Sequence, residues 1–180
     1  MILFQGDIVL VELNSPLFRL VRFFSRSRGE PKSPITHCAV VSEPGTLHGA
    51  IMVNAQMPTV KFTSLCKYAG KRVAIYSKLN ISIRKRQRIA TVAETYVGRK
   101  YGVFKIIAHF LDWCLGGAYF FRRIFNMDKY PICSWVVAYS YHAIGINFGI
   151  EPDAAEPDDI WRYVTTHPEE YICIRKLSYL

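Results

Sequence analysis

The run PICSWVVAYSYHAIG, residues 131–145, constrains the fold of this chain more than any other stretch of its sequence. It begins with Pro131, continues with mostly apolar residues and ends at Gly145, a residue type that often follows a helix. The run therefore predicts a helix over Cys133–Ile144. Cys133 falls in or beside the first turn of that helix. The role of Cys133 therefore depends on which side chains the other elements place near it.

The elements on either side are predicted from hydrophobic periodicity and from turn residues. Strands are predicted over Ile8–Leu13, Ile35–Ser42, Ala50–Gln56, Pro58–Leu65, Arg72–Lys78 and Tyr171–Leu177. Further helices are predicted after Ser15, after Ser82 with Gly98 as the C-cap, and over Asp158–Thr165. The chain has 180 residues, 51% of them hydrophobic, which suffices for one compact core. The order of elements predicts a single α+β domain over residues 1–180.

The cysteines argue against a disulfide framework or a zinc ribbon, because their spacing is irregular and no CxxC pair occurs. They are Cys38, Cys66, Cys114, Cys133 and Cys173. No cluster has metal-ligand spacing, so neither a metal nor a cofactor is expected. The start of the chain, MILFQGDIVLVELNS, lacks the basic, apolar and small-residue order of a secretory signal. A reducing, cytoplasmic location is therefore the expectation.

The formal net charge of +9 favours anionic partners such as nucleic acid, anionic lipid or cell-wall polymer. Four basic residues lie in the first turns of the helix that follows Ser82: Arg84, Lys85, Arg86 and Arg88. This is the unfavourable end of the helix dipole for cations, so the cluster either contacts an anionic surface or is a solvated face. No nucleic-acid-binding module is recognised, so no specific nucleic-acid partner is expected.

The segment Tyr101–Phe125 is apolar enough to resemble a membrane span. However, Lys105, His109 and Asp112 interrupt it, and a Gly-Gly pair breaks it at residues 116–117. Because a spanning helix needs about 20 mainly apolar residues, no transmembrane span is predicted. One or two short helices are expected, which either join the core or present an apolar wall, Val103 to Phe125, to a lipid or apolar substrate.

Cys133 occupies a position that can activate a thiol. A helix N-terminus stabilises a thiolate, and its unpaired N–H groups can hold the oxyanion of an acyl-transfer intermediate. The other cysteines lie in predicted strands (Cys38, Cys173), after a strand (Cys66) or in the apolar segment (Cys114). The alternative is that Cys133 has a purely structural role in the first turn.

His37 is the histidine best placed to serve as a base, because it opens a predicted strand and a strand end can hold it rigidly. Asn54 lies in the partner strand, where its amide can accept from the imidazole N–H, as in Cys-His-Asn proteases. The other histidines lie in the hairpin turn, the apolar segment, the Cys133 helix itself and a late loop, in the order His48, His109, His142 and His167.

Several motifs together resemble those of a known family. The order GDIVLV, SPITHCAVV, MVNAQ, VGRKYG, PICSWVVAYSY and EPDDIWRY is similar to that of circularly permuted papain-like hydrolases of the NlpC/P60 superfamily. The similarity is to the YiiX/YaeF-like branch, related to the lecithin:retinol acyltransferase-like proteins, and spans about Gly6 to Tyr163. It implies a papain-like fold, with a small antiparallel sheet or barrel packed against the nucleophile helix. It also implies Cys133 as nucleophile and His37 as general base and acid.

The chain departs from this family at two positions. The family usually has Glu where this chain has Asn54, which can orient His37 but cannot stabilise an imidazolium by charge. A family tyrosine matches Tyr101, but the Asp that often follows it is Gly102 here. Tyr101, Ser134 and Trp135 are predicted to contact the substrate.

These inferences predict a cysteine hydrolase that cleaves an amide bond of peptide or peptidoglycan type through a thiol acyl-enzyme. Two alternatives stay open. One is a lipid acyl hydrolase or acyltransferase at a membrane surface. The other is a binding or structural protein of the same fold whose site has lost its catalytic activity. The presence of Asn54 in place of Glu is the reason for considering it.

Overall fold

The computed structural model describes residues 1–14, 33–102 and 130–180, which form a mixed α/β structure with antiparallel sheets. The strands are β1 (Ile2–Leu3), β2 (Ile8–Glu12), β3 (His37–Glu43), β4 (Gly45–Thr46), β5 (Ile51–Gln56), β6 (Thr59–Ser64), β7 (Arg72–Lys78) and β8 (Tyr171–Tyr179). The α-helices of these ranges are α1 (Ile83–Glu94), α2 (Cys133–His142) and α3 (Pro157–Thr166), and a 3-10 helix covers Leu65–Tyr68.

Six of the strands form one antiparallel sheet in the order β6-β5-β3-β2-β7-β8, and β1 pairs with β4. In β2, Ile8 and Leu10 point into one apolar cluster, while Val9 and Val11 point into another. Both faces of the sheet are therefore covered, which explains why Ile8–Val11 and Cys38–Val41 of the central strands are continuous apolar runs. All three helices lie on the first face, called here the helix-bearing face; Leu65 and Tyr68 belong to the cluster on the opposite face.

Helix α2 is the central helix of the described structure, packed against β3 and α1. All of its residues except Tyr139 and His142 are buried, as expected for a helix that is apolar around most of its circumference. Its far end is fixed by the Tyr141 hydroxyl, which donates to the Gly6 carbonyl at 2.6 Å. The Gly6 N–H in turn donates to the Val41 carbonyl at 2.8 Å, so this end of α2 lies by the end of β3.

The predicted elements recur with small changes in their bounds, but the predicted C-cap of α1 is wrong. Ser82 caps the start of α1 as predicted, since its hydroxyl accepts the Lys85 N–H at 3.3 Å. The helix ends at Glu94, however, with Thr95 rather than Gly98 as its C-cap. Thr95 donates its hydroxyl to the Val92 carbonyl at 2.7 Å, and the chain turns away there.

Some predictions fall outside the described residues. They are the basic helix after Ser15, the apolar segment Val103 to Phe125, and the residues Cys114 and His109. None of the helices in the three described ranges has the length and apolar character needed to cross a membrane.

Candidate active site

The candidate site lies where β5 leaves β3. The ladder between these strands ends, in the described ranges, at the pair Val40–Val53. Beyond that pair, the backbone N–H of Cys38 is directed at the thiol of Cys133. Because β5 and β3 separate there, the N-terminus of α2 can pack against β3. Cys133 is the first residue of that helix.

His37 is held on the other side of this opening by Asn54. The distance from His37 Nε2 to Asn54 Oδ1 is 2.8 Å, and both side chains are almost fully buried. An amide oxygen only accepts hydrogen bonds, so Nε2 carries the hydrogen and Nδ1 is the nitrogen left for Cys133. The imidazole lies near enough to act on the Cys133 thiol, both by its charge and as a hydrogen-bond partner. The three side chains thus form a Cys-His-Asn chain of contacts.

The surroundings of Cys133 hold its pKa well below the usual cysteine range. A hydrogen bond from the Cys38 thiol is the largest cause; burial opposes it, and the charge and hydrogen bond of His37 act in the same direction as Cys38. Helix α2 begins with no side-chain cap and no acidic residue in its first turn. The first turn therefore supplies no carboxylate of its own to compete for its N–H groups, which favours a negative charge on the sulfur.

Cys38 is a residue that the sequence reasoning missed. The sequence predicts only that Cys38 lies within a strand, whereas the structure places its thiol against Cys133 on the helix-bearing face. Burial, together with the neighbouring Cys133, raises the pKa of Cys38 well above the usual value. It therefore stays protonated and can donate. Successive side chains of a strand point to opposite faces of the sheet, so Cys38 points to the face opposite that of its neighbour His37. This alternation is the sequence pattern that could have indicated a helix-facing Cys38.

Tyr101 also reaches Cys133. Its hydroxyl forms hydrogen bonds with the Cys133 side chain and backbone, and burial, followed by the charge of Cys133, raises the Tyr101 pKa well above the usual value. The Tyr101 N–H donates to the Pro58 carbonyl at 2.9 Å, and the next N–H, of Gly102, donates to the Pro131 carbonyl at 3.1 Å. These two bonds position a protonated hydroxyl beside the thiol.

Gly102 explains why this chain has no acidic side chain after the tyrosine. A Cβ at this position would meet the backbone carbonyl oxygen of Tyr130, which cannot move away as a flexible side chain would. The close approach of these two backbone segments brings Tyr101 next to the start of α2. Glycine at position 102 is thus a requirement of the local packing.

Ser134 and Trp135, predicted to contact substrate, are buried in the first turn of α2. The Ser134 hydroxyl has no hydrogen-bond partner within the described residues. The Trp135 ring is edge-on to Tyr139, with 5.9 Å between ring centroids. Their role in substrate binding stays a prediction.

The remaining described histidines lie away from Cys133. His48 is exposed in the turn after β4, with its Nδ1 3.6 Å from the exposed Cys66 thiol. His142 is at the opposite end of α2, where its Nδ1 is 2.8 Å from the Asn147 side-chain oxygen. His167 stacks on Tyr163 at 4.0 Å between centroids.

Comparison with known proteins gives a structural neighbour but no family by sequence. No protein-family model and no curated protein matches the chain. The crystal structure of YiiX from Escherichia coli O157:H7 matches with a TM-score of 0.57 and 17% identity, covering 94% of this chain and 88% of that one. The chain therefore has a YiiX-like fold, which supports the predicted link to YiiX-like proteins at the level of the fold.

YiiX is described as a metalloprotein of DUF1105. In residues 1–14, 33–102 and 130–180 of this chain, no three His, Cys, Asp or Glu side chains come together to hold a metal ion. Around Cys133 the pattern is instead one of hydrogen bonds among thiols, an imidazole and an amide. The donor set of the described residues does not fit a metal site.

Proposed function

We propose that this protein is a cysteine hydrolase of the circularly permuted papain-like, NlpC/P60 type, acting on an amide bond of peptide or peptidoglycan type. One observation carries the proposal. The Cys133 thiol at an uncapped helix N-terminus contacts an imidazole that is itself fixed at 2.8 Å by the Asn54 amide oxygen. Nucleophile, base and orienting group are thereby present in the order that thiol catalysis requires.

The chemistry follows from these positions. His37 takes the proton of Cys133 at Nδ1, and the thiolate attacks the carbonyl carbon, forming a C–S bond. The charge that develops on the carbonyl oxygen is held by first-turn N–H groups of α2 and by the Tyr101 hydroxyl. The C–N bond then breaks, and the amine leaves with the proton from His37. His37 next removes a proton from water, whose oxygen attacks the acyl carbon; the C–S bond breaks, the acid is released, and the proton on His37 returns to the sulfur.

A membrane surface bound at the start of α1 would not bring a lipid to Cys133. The exposed apolar and basic residues of α1, Ile83, Arg84 and Lys85, lie at the start of that helix. The chain leaves the other end of α1 toward Tyr101, and twelve residues of helix span about 18 Å. A bilayer bound at Ile83 would therefore lie at the end of α1 remote from Cys133.

The dyad can be tested by the rate of alkylation of each cysteine against pH, read by mass spectrometry on the native protein. Because the pKa of Cys133 is lowered, its alkylation should persist at acidic pH and decline only as the pH falls through that lowered value. His37→Ala should remove the acidic-pH reaction. His142→Ala is the matched control, since it removes a histidine from the opposite end of α2 and should change nothing.

An equal pH profile for Cys133 in the native protein and in His37→Ala would contradict the mechanism. That result would favour a binding or structural protein with a retired site, as the Asn54 substitution suggests. If the dyad is present, peptide amides and acyl esters should be screened side by side. Turnover of esters alone, increased by anionic vesicles, would replace the amide proposal with the lipid one.

A further inference from the structure

A fourth side chain, Tyr68, lies behind the Cys133–His37–Asn54 chain. It is the last residue of the 3-10 helix Leu65–Tyr68, which Ser64 caps by accepting the Cys66 N–H at 3.3 Å. Tyr68 is 2% exposed, and its ring is tilted against the His37 ring with 5.9 Å between centroids. The side chain therefore closes the site on the face of the sheet opposite α2.

Two polar atoms of this region lack a conventional partner. Asn54 Nδ2 and Tyr68 Oη are both buried, and neither has a hydrogen bond of ordinary geometry in the described ranges. The Asn54 side chain nevertheless acts on Tyr68 as a hydrogen-bond partner, opposing the rise in the Tyr68 pKa that burial causes. The phenol oxygen is therefore an acceptor available to the amide N–H among the described residues.

The need for that acceptor is greatest when His37 is charged, because only a neutral imidazole could change tautomer and let the Asn54 amide turn its nitrogen toward the ring. When His37 holds the proton of Cys133, both ring nitrogens carry hydrogen, and Asn54 must present its oxygen to Nε2. The amide nitrogen then points away from the ring into a fully buried place. A buried N–H without an acceptor is costly, so the thiolate–imidazolium pair depends on what receives it.

We propose that Tyr68 is a positioning residue, whose hydroxyl oxygen receives the Asn54 amide N–H and so fixes His37 for proton exchange with Cys133. The inference rests on the proposed function. It assigns to Tyr68 no contact with the substrate or with the sulfur. It predicts that the hydroxyl, rather than the aromatic ring, affects the ionisation of Cys133.

Tyr68→Phe tests this, because it keeps the ring and removes only the hydroxyl. Alkylation of Cys133 at acidic pH should slow roughly three- to tenfold, the size of a lost buried hydrogen bond, and the whole profile should move to higher pH. Tyr141→Phe is the matched control. It removes a buried hydroxyl that donates to the Gly6 carbonyl at 2.6 Å, so it should lower Tm and leave the profile in place.

An unchanged pH profile in Tyr68→Phe, or an equal shift in Tyr141→Phe, would overturn the proposal. If the native protein itself lacks acidic-pH alkylation of Cys133, the proposed function fails instead, so the two failures are distinct. Should Tyr68→Phe not fold, hydrogen exchange of the Asn54 side-chain amide in the unsubstituted protein decides the matter by NMR. Slow exchange together with a downfield-shifted Nδ2 hydrogen supports the bond to Tyr68, and exchange as fast as in an exposed asparagine overturns it.

Discussion

Two buried polar clusters lie at opposite ends of α2, and they are built differently. The Asp7 cluster, made of Asp7, Arg86 and Ser77, lies at the Tyr141 end. Asp7 is fully buried; its Oδ1 accepts from Arg86 at 3.0 Å and its Oδ2 accepts the Phe4 N–H at 2.8 Å. Arg86 also donates to the Ser77 hydroxyl at 3.0 Å and to the Lys78 carbonyl at 2.8 Å. Charges and donors are thus matched one to another.

The Cys133 cluster, made of Cys133, His37, Asn54 and Tyr68, is incompletely matched. Asn54 Nδ2 and Tyr68 Oη lack hydrogen bonds of ordinary geometry in the described ranges, and the neighbouring Ser134 hydroxyl lacks a partner there. Saturated buried groups hold a structure in place, whereas buried polar groups without a bond of ordinary geometry are costly and call for an explanation, of which a catalytic role is one. The contrast separates a structural cluster from a candidate chemical one within the same core.

The largest expected effect is on the Asp7 cluster and concerns stability. Asp7→Ala leaves the Arg86 guanidinium, whose side chain is 19% exposed, without its carboxylate. Breaking a buried ion pair in this way should lower the free energy of unfolding by about 3–5 kcal/mol. Chemical denaturation measures this loss. The pH profile of Cys133 alkylation should stay unchanged, because the Asp7 cluster lies at the other end of α2.

The control for Asp7→Ala is Glu12→Ala, which breaks the Arg72–Glu12 pair at 2.8 Å, where the Arg72 side chain is 41% exposed. An exposed pair of this kind contributes about 0–1 kcal/mol, so the two variants should differ clearly. Equal losses would show that the Asp7 cluster is not the stabilising element described above. A shifted Cys133 profile in Asp7→Ala would show that the two clusters are coupled.

The sequence predicts those parts of the candidate site that depend on neighbouring residues in the chain. The strand Arg72–Lys78 has the predicted bounds, and Cys133 is the first residue of its helix because a proline and an apolar run define that start. The contact of Cys38 with Cys133 depends on where β5 leaves β3, which no local pattern encodes. Tyr68 ends a four-residue 3-10 helix, too short to show a hydrophobic period. Residue propensities therefore predict the individual helices and strands, but they do not predict which residues distant in sequence come into contact.

A smaller effect is expected when the Cys133 cluster receives a negative charge at position 54. Asn54→Asp places a carboxylate 2.8 Å from His37 Nε2. A hydrogen bond to a charged group contributes roughly 1 kcal/mol more than a neutral one, so Cys133 should alkylate about fivefold faster at acidic pH. Asn54→Leu, of similar size without an acceptor, should slow the reaction. Equal rates in both variants would show that position 54 does not act on His37.

The smallest effect concerns Cys38, the residue that makes the Cys133 cluster unlike a simple Cys-His-Asn arrangement. Its thiol hydrogen bond is the largest cause that lowers the pKa of Cys133, but a thiol is a weak donor. Cys38→Ala should therefore slow Cys133 alkylation at acidic pH by only about two- to fivefold. Cys38→Ser keeps a donor at the same place and should retain the native rate. If Ser and Ala behave alike, Cys38 contributes packing alone, and the backbone N–H at position 38 is the donor that stabilises the thiolate.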